Sequence, residues 1–395
     1  MKRWVMLGLG VNAHACVTLG LFGLPLVMPD IQRYFGVSLP VAGIIGNAPG
    51  LGILFSLVAW GMLADRRGER LVLGIGVGLA AALLAAAAFV TEIWAVIPLL
   101  ALAGAMGSAA MVGGGRIVLR WFEPPERGVA MGLRQVSYTL GMAVAAFVLP
   151  PIARAHGISG VFIVCAGVSL LAAVLAALFL AEPPHTISGA RPAPAASPYR
   201  QPALWRVHAT SALQVVPQIV VSTYGVTCLV AGYGWDGVRA GQLFGVAAIG
   251  GAAVRIAVGR WSDRVGLRMA PLRLLTLGSL AVLALLVLGT VTESWLGPAM
   301  LALAAVITVA GNGLAYLSAG ELAGPASAGR VLGTHNTIQN IVSLGVTPLA
   351  GMLITATGYW AGFAAGLACA LISLPVIPTR GERHATAEQG VPRPS

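Results

Sequence analysis

The chain has 395 residues, of which 57% are hydrophobic and only 9% charged. Water-soluble domains carry roughly 25% charged residues, so a chain this poor in charge cannot cover a water-facing surface, and hydrocarbon is the solvent its composition suits. The formal net charge of +11 comes almost wholly from arginines standing singly or in small groups between long apolar runs, a pattern that membrane topology explains better than a nucleic-acid footprint.

A helix needs about 20 mostly apolar residues to cross a bilayer. Lys2 and Arg3 precede the first such run, which Asn12 and His14 interrupt. No small-residue cleavage site follows it, so it is expected to be a spanning helix and not a signal peptide. The expected spans of the first half are 5–27, 41–64, 71–90, 94–118, 129–152 and 157–181. Those of the second half are 204–230, 238–258, 272–291, 295–317, 331–355 and 359–377. Residues 182–203 between them carry Glu182-Pro183-Pro184 and the run from Arg191 to Pro198. Proline cannot continue a helix there and the rest is small or polar, so this is a linker on the cytoplasmic side. The expected architecture is an all-α membrane protein of twelve transmembrane helices in two pseudo-symmetric six-helix bundles, 1–181 and 204–379, followed by a disordered polar tail at 380–395. Cys16, Cys165, Cys228 and Cys369 are widely spaced inside apolar runs, with neither a disulfide framework nor metal-ligand spacing.

Orientation follows from arginine placement. One face of the membrane receives Arg66, Arg67, Arg70, Arg120, Arg127, Arg191, Arg200, Arg206, Arg260, Arg264, Arg268, Arg273, Arg330, Arg380 and Arg383; the other receives Arg33, Arg154 and Arg239. The positive-inside rule then puts both termini in the cytoplasm of a cell that carries the protein in its plasma (inner) membrane.

The second span ends in Gly61-Met62-Leu63-Ala64-Asp65-Arg66-Arg67-Gly68-Glu69-Arg70, and the eighth in Gly259-Arg260-Trp261-Ser262-Asp263-Arg264-Val265-Gly266-Leu267-Arg268. Both read G-x-x-x-D-R-x-G-x-R, and a weaker echo pairs Arg127 and Gly132 with Arg330 and Gly333. Repeated halves suit a transporter that rocks about a central site. The signature resembles that of the major facilitator superfamily, and the stretch from Trp121 to Gly132 is similar to that family's approach to its fifth helix. The resemblance implies a secondary transporter working by alternating access. It also implies that Asp65 and Arg66, and by repetition Asp263 and Arg264, are gate residues whose charge contacts hold the halves in one state. Ordinary topology-setting charge is the other reading, and it explains Arg67 and Arg70 well but a repeated aspartate poorly.

No Asp or Glu falls in the middle of an expected span, and Asp30 and Glu321 lie near helix ends. Basic groups are present instead. Arg134 lies in the fifth span, with Gln135 beside it and Tyr138 one turn on, sharing its face. Arg255 lies four residues before Gly259, a position similar to that of the functional arginine in monocarboxylate and oxalate carriers of the family. Arginine's planar fork suits bidentate carboxylate binding. Two arginines without a carboxylate partner would make a site for an anion, with Arg134 facing Arg255 from the other half; bonds to main-chain carbonyls are the alternative. Arg116, next to Gly113-Gly114-Gly115, reads as a snorkelling residue near its helix end.

Repeat alignment sets His335 opposite Arg134, Asn336 opposite Gln135 and Gln339 opposite Tyr138. Gln214 and Gln218 are four apart in the seventh span, as are Asn312 and Tyr316 in the tenth. Together with His14, these polar groups are candidates for contact with the solute or for interhelical hydrogen bonding. His14 and His335 are also the titratable candidates for coupling to a proton. The reading is therefore a secondary transporter of a small anionic organic solute such as a carboxylate, held in the lipid bilayer as a monomer. It needs no cofactor or metal, binds no nucleic acid, shows no nucleotide-binding signature, and carries no nucleophile–base constellation of an enzyme. Efflux of an amphipathic or aromatic compound past Tyr138, Tyr224 and Tyr316 is a second transport reading. A membrane sensor or assembly partner is the alternative of another class.

Overall fold

The computed structural model describes residues 2–37, 39–181 and 197–379. Most of the expected linker, residues 182–196, and the whole expected tail from 380 lie outside the described residues.

Eleven helical stretches among the described residues are long and apolar enough to cross a membrane. The longest, Pro124–Phe179, contains two helices. They meet at Gly157, whose φ of 66° and ψ of −172° break the helical path, a conformation that glycine adopts without steric cost. In chain order the helices are α1 Lys2–Val17, α2 Leu39–Arg67, α3 Glu69–Ala87, α4 Ile93–Gly107 resuming as Ala109–Trp121, α5 127–156 and α6 158–179. The second half has α7 Pro202–Thr227, α8 Gly237–Val265, α9 Met269–Val291, α10 Leu296–Ile307 resuming as Asn312–Ala323, α11 Ala328–Thr357 and α12 Tyr359–Val376. The twelve expected spans are all present, the observed helices running a few residues past most of the expected ends.

Irregularities repeat as the sequence does. A π turn at Thr18–Phe22 follows α1, and another at Cys228–Gly232 follows α7. α4 is interrupted at Ser108 and α10 at 308–311. Interrupted helices expose main-chain carbonyls and amides at membrane depth, where such groups are tolerated when they serve binding or are bonded by neighbours.

The chain forms two compact units. The first comprises Met1–Phe122, Leu133–Pro194 and Ala323–Thr337; the second comprises Glu123–Gly132, Ala195–Leu322 and Ile338–Ser395. Each unit thus takes the start of one helix, α11 or α5, from the other half of the sequence. Inside the first unit α4 packs on α2 and α3, and inside the second α10 packs on α8 and α9. Large apolar side chains lie on the outside of both: Phe55 is 83% exposed, Phe147 80% and Ile249 71%. Water would penalise such a surface, whereas hydrocarbon does not.

The α2–α4 crossing depends on the absence of side chains. A Cβ at Gly104 would collide with the Pro49 carbonyl, and one at Gly52 with that of Ala101. Backbones in contact gain dispersion energy that lipid cannot supply. Gly104→Leu is therefore expected to destabilise the fold by at least about 1–3 kcal/mol, seen as a lower thermal midpoint in detergent, whereas Gly8→Leu, with no atom within 4 Å of its built Cβ, is expected to leave the midpoint unchanged.

Candidate functional site

The repeated aspartates sit at the ends of α2 and α8, four residues after Gly61 and Gly259 and so on the same helix face. In the first unit Asp65 takes the main-chain N–H of Gly329 on Oδ1 at 2.8 Å and that of Arg330 on Oδ2 at 2.9 Å. These are the second and third residues of α11, so Asp65 caps a helix that begins 263 residues later in the chain. A carboxylate on orphan N–H groups at the positive end of a helix makes charge-assisted bonds. In the second unit Asp263 does the same for α5, with Gly128 N at 2.8 Å and Val129 N at 2.9 Å. Gly61 and Gly259 admit the helix starts: a Cβ on Gly61 would collide with the Gly329 carbonyl, and one on Gly259 with that of Gly128. This accounts physically for the repeated G-x-x-x-D spacing.

The guanidinium at each carboxylate is not the adjacent one. Arg66 and Arg264, expected as gate residues beside the aspartates, are exposed. Asp65 instead pairs with Arg116 of α4 at 2.9 Å. Arg116 also reaches Glu69 at 3.1 Å, and Arg120 reaches Glu69 at 2.8 Å. Arg116 is 4% exposed, so the snorkelling expectation gives way to a buried ion pair. The available signal was spacing: Asp65 and Glu69 are four apart, and so are Arg116 and Arg120. In the second unit Asp263 pairs with Arg268 at 2.6 Å. Arg268 also donates to the Pro124 carbonyl at 2.7 Å and lies 3.5 Å from Glu321 of α10, with Arg127 on the other Glu321 oxygen at 3.4 Å. The two clusters have opposite polarity. Arginine sits on α4 and the extra acid at the start of α3 in the first, whereas the second has arginine on the turn and the acid on α10.

A second polar group in the first unit surrounds Arg134, which is 3% exposed. Arg134 donates to the Met111 carbonyl, just beyond the break in α4, and through Nη1 to Gln135 Oε1 at 2.9 Å. Ser137 donates its hydroxyl proton to the Arg134 carbonyl at 2.5 Å, and its oxygen lies 2.6 Å from His14 Nδ1. With the serine proton already used, Nδ1 of His14 is the donor of that contact, and its Nε2 is buried without a hydrogen-bond partner among the described residues. Tyr138 is 44% exposed and stands edge-on to Phe22, ring centres 5.7 Å apart. His335, 1% exposed, and Asn336 are buried at the start of α11, in the same unit.

In the second unit Arg255 of α8 donates through Nε to the Val309 carbonyl at 3.2 Å, inside the break of α10. A carbonyl freed by a broken helix is a natural acceptor for a cation. Arg134 and Arg255 thus belong to different units, and each bonds a main-chain carbonyl at or beside an interrupted helix, the alternative weighed for both. Four of the amide candidates, Gln214, Gln218, Asn312 and Gln339, bond to side chains of other helices. Gln214 donates to Thr276 at 2.7 Å, Asn312 to Gln218 at 2.7 Å, and Gln339 to Ser211 at 2.6 Å. These bonds tie α7 to α9, α10 and α11, as expected of interhelical hydrogen bonding.

The family model of the Major Facilitator Superfamily matches residues 11–347. An uncharacterized MFS-type transporter of Mycobacterium tuberculosis is 36% identical over 380 residues, 96% of this chain and 85% of that protein. Over a shorter stretch, the Arabidopsis thaliana chloroplast protein named "Probable anion transporter 4" is 32% identical across 131 residues, 33% of this chain and 25% of its own length. Among solved structures, the human organic anion transporter MFSD10 matches with a TM-score of 0.78 at 15% identity, covering 95% of this chain and 99% of its own. The Escherichia coli fucose:proton symporter FucP matches with a TM-score of 0.76 at 15% identity, covering 96% and 100%. Likeness at such low identity is a likeness of fold.

Proposed function

The chain belongs to the major facilitator superfamily, and from that premise we propose that it carries a small organic anion, such as a carboxylate, across the membrane by alternating access. It is a multi-pass membrane transporter and not an enzyme. The anion reading rests on Arg134 and Arg255, two guanidinium groups within membrane spans. A guanidinium has five donors in a planar fork. The bonds to the Met111 and Val309 carbonyls orient the two forks. The name of the Arabidopsis thaliana relative, a probable anion transporter, supports the same class. His14, with its open Nε2, and His335 are the groups through which a proton would couple to the solute. On the arginine distribution the ends of α2 and α8 that carry Asp65 and Asp263 face the cytoplasm, and the working unit is one chain.

The test is binding of carboxylates, then of cations and neutral sugars, to the purified chain, followed by uptake into proteoliposomes. Arg255→Lys keeps the charge but loses the fork. It is expected to weaken carboxylate binding by about tenfold or more, the worth of one charged hydrogen bond, and Arg255→Gln to weaken it further at an unchanged thermal midpoint. Unaltered carboxylate affinity in Arg255→Gln, or a transported substrate that is a cation, would overturn the reading.

A further inference from the structure

A separate cavity lies in the second unit, where α8 begins. α8 has 29 residues, so roughly 40 Å of helix separates it from Asp263. Its volume is about 690 Å³, and Tyr233, Tyr359, Trp360, Glu293, Cys228 and Gly358 are among its walls. Sites for small ligands run to roughly 300–1,000 Å³. Glu293 is the one charged residue lining it among the described residues, so an anion is repelled and the solute proposed above has no place there.

Two features show that the walls are held in place. The Tyr233 hydroxyl donates to the Gly289 carbonyl at 2.8 Å, which pins the ring against the end of α9. Burial first, then the neighbouring Cys228 and Glu293, raise that hydroxyl above the usual phenol range, so it remains a neutral donor. Gly289 also accepts the Ser294 N–H at 3.1 Å, while Thr292 N–H bonds Leu288 at 2.9 Å. The Ser294–Gly289 bond is the six-to-one closure of a Schellman cap, with Glu293 as the left-handed residue at φ 49°. Glycine normally fills that place. Glu293 is the only non-glycine residue with positive φ among the described residues, so a carboxylate stands where backbone geometry favours no side chain at all. Such an outlier is grounds for asking what the side chain does.

The geometry points to a binding site for an alkylammonium group, with Glu293 as its counter-charge and the rings of Tyr233, Tyr359 and Trp360 as cation–π faces. Trp360 is 42% exposed, and Trp295, two residues beyond Glu293, is 80% exposed, as in the aromatic belts where a membrane meets water. The ammonium can therefore come from a dissolved amine or from the headgroup of an ethanolamine lipid; the recognising chemistry is the same.

The test uses the purified full chain in a non-ionic detergent, with tetramethylammonium chloride as probe and equal sodium chloride as control. A saturable rise in thermal midpoint is expected. It should be lost in Glu293→Gln and in Trp360→Leu and kept in Glu92→Gln, a change at an exposed carboxylate just before α4 in the other unit. Glu293→Gly relieves the left-handed backbone, so it is expected to match or exceed the parent's midpoint without ligand while losing the response, which separates lost binding from lost folding. In nanodiscs, a response present in phosphatidylglycerol but absent in phosphatidylethanolamine identifies the lipid as occupant. A response in both identifies a dissolved amine. No rise for the parent chain in detergent, or a rise that survives Glu293→Gln and Trp360→Leu, overturns the proposal.

Discussion

Asp65→Asn is expected to slow solute exchange by about ten- to a hundredfold while leaving equilibrium solute affinity within about twofold, since charged hydrogen bonds are worth about 1.5–3 kcal/mol each. Asp65 uses both oxygens: Oδ1 takes Gly329 N–H and Arg116, and Oδ2 takes Arg330 N–H. An asparagine can keep its carbonyl oxygen on Gly329, but its amide then presents N–H to the N–H of Arg330. One bond becomes a donor–donor contact, and the favourable charge at the start of α11 is gone. Asp263→Asn should act alike through Gly128 and Val129. Neither carboxylate belongs to the arginine sites, so binding should persist. Radiolabelled counterflow in proteoliposomes measures exchange, and equilibrium dialysis measures affinity. A variant that loses affinity but exchanges at the parent rate would remove both aspartates from the gate.

Arg116→Leu is expected to cost about 3–5 kcal/mol of stability, the usual penalty for leaving buried charges unpaired. The Asp65 and Glu69 side chains are only 10% and 5% exposed. Arg120 still reaches Glu69 at 2.8 Å, whereas Asp65 loses the guanidinium beside it. Arg116→Lys should fall between, because one ammonium cannot reproduce separate Nη1 and Nε contacts to two carboxylates. Arg66→Gln, at an exposed position, should stay within about 0.5 kcal/mol of the parent. Thermal midpoints and monodisperse yield in detergent rank the four proteins. A greater loss for Arg66→Gln than for Arg116→Leu would mean that the adjacent arginine is the true partner of Asp65.

The parts of the fold that depend on near neighbours were readable from one chain. Runs of about 20 apolar residues mark the spans whatever they pack against, and the break between α5 and α6 was expected near the place where Gly157 provides it. The candidate site was readable only in part. Gly61 and Asp65 share a helix face by their spacing alone, so a close approach with a carboxylate beside it could be foreseen. Its ligand could not: main-chain N–H groups of α11 carry no sequence mark. Arg116 looked like a helix-end residue because the acids it serves lie on a different helix. Gln214, Gln218, Asn312 and Gln339 were visible as polar groups at depth, but whether an amide meets a solute or a neighbouring helix depends on which hydroxyl stands opposite.

By itself the sequence determined the solvent, the number of spans, the repeat and the type of charge at each helix end, because these follow from composition and local spacing. Only the tertiary structure decided the pairings. Asp65 and Asp263 bond main-chain N–H groups 264 and 135 residues away, and the same junction is built with reversed polarity, Arg116 against Glu69 in one unit and Arg268 against Glu321 in the other. The physical reason is that a buried carboxylate must find donors wherever the packed helices bring them, and opposite charges attract equally whichever helix carries which sign.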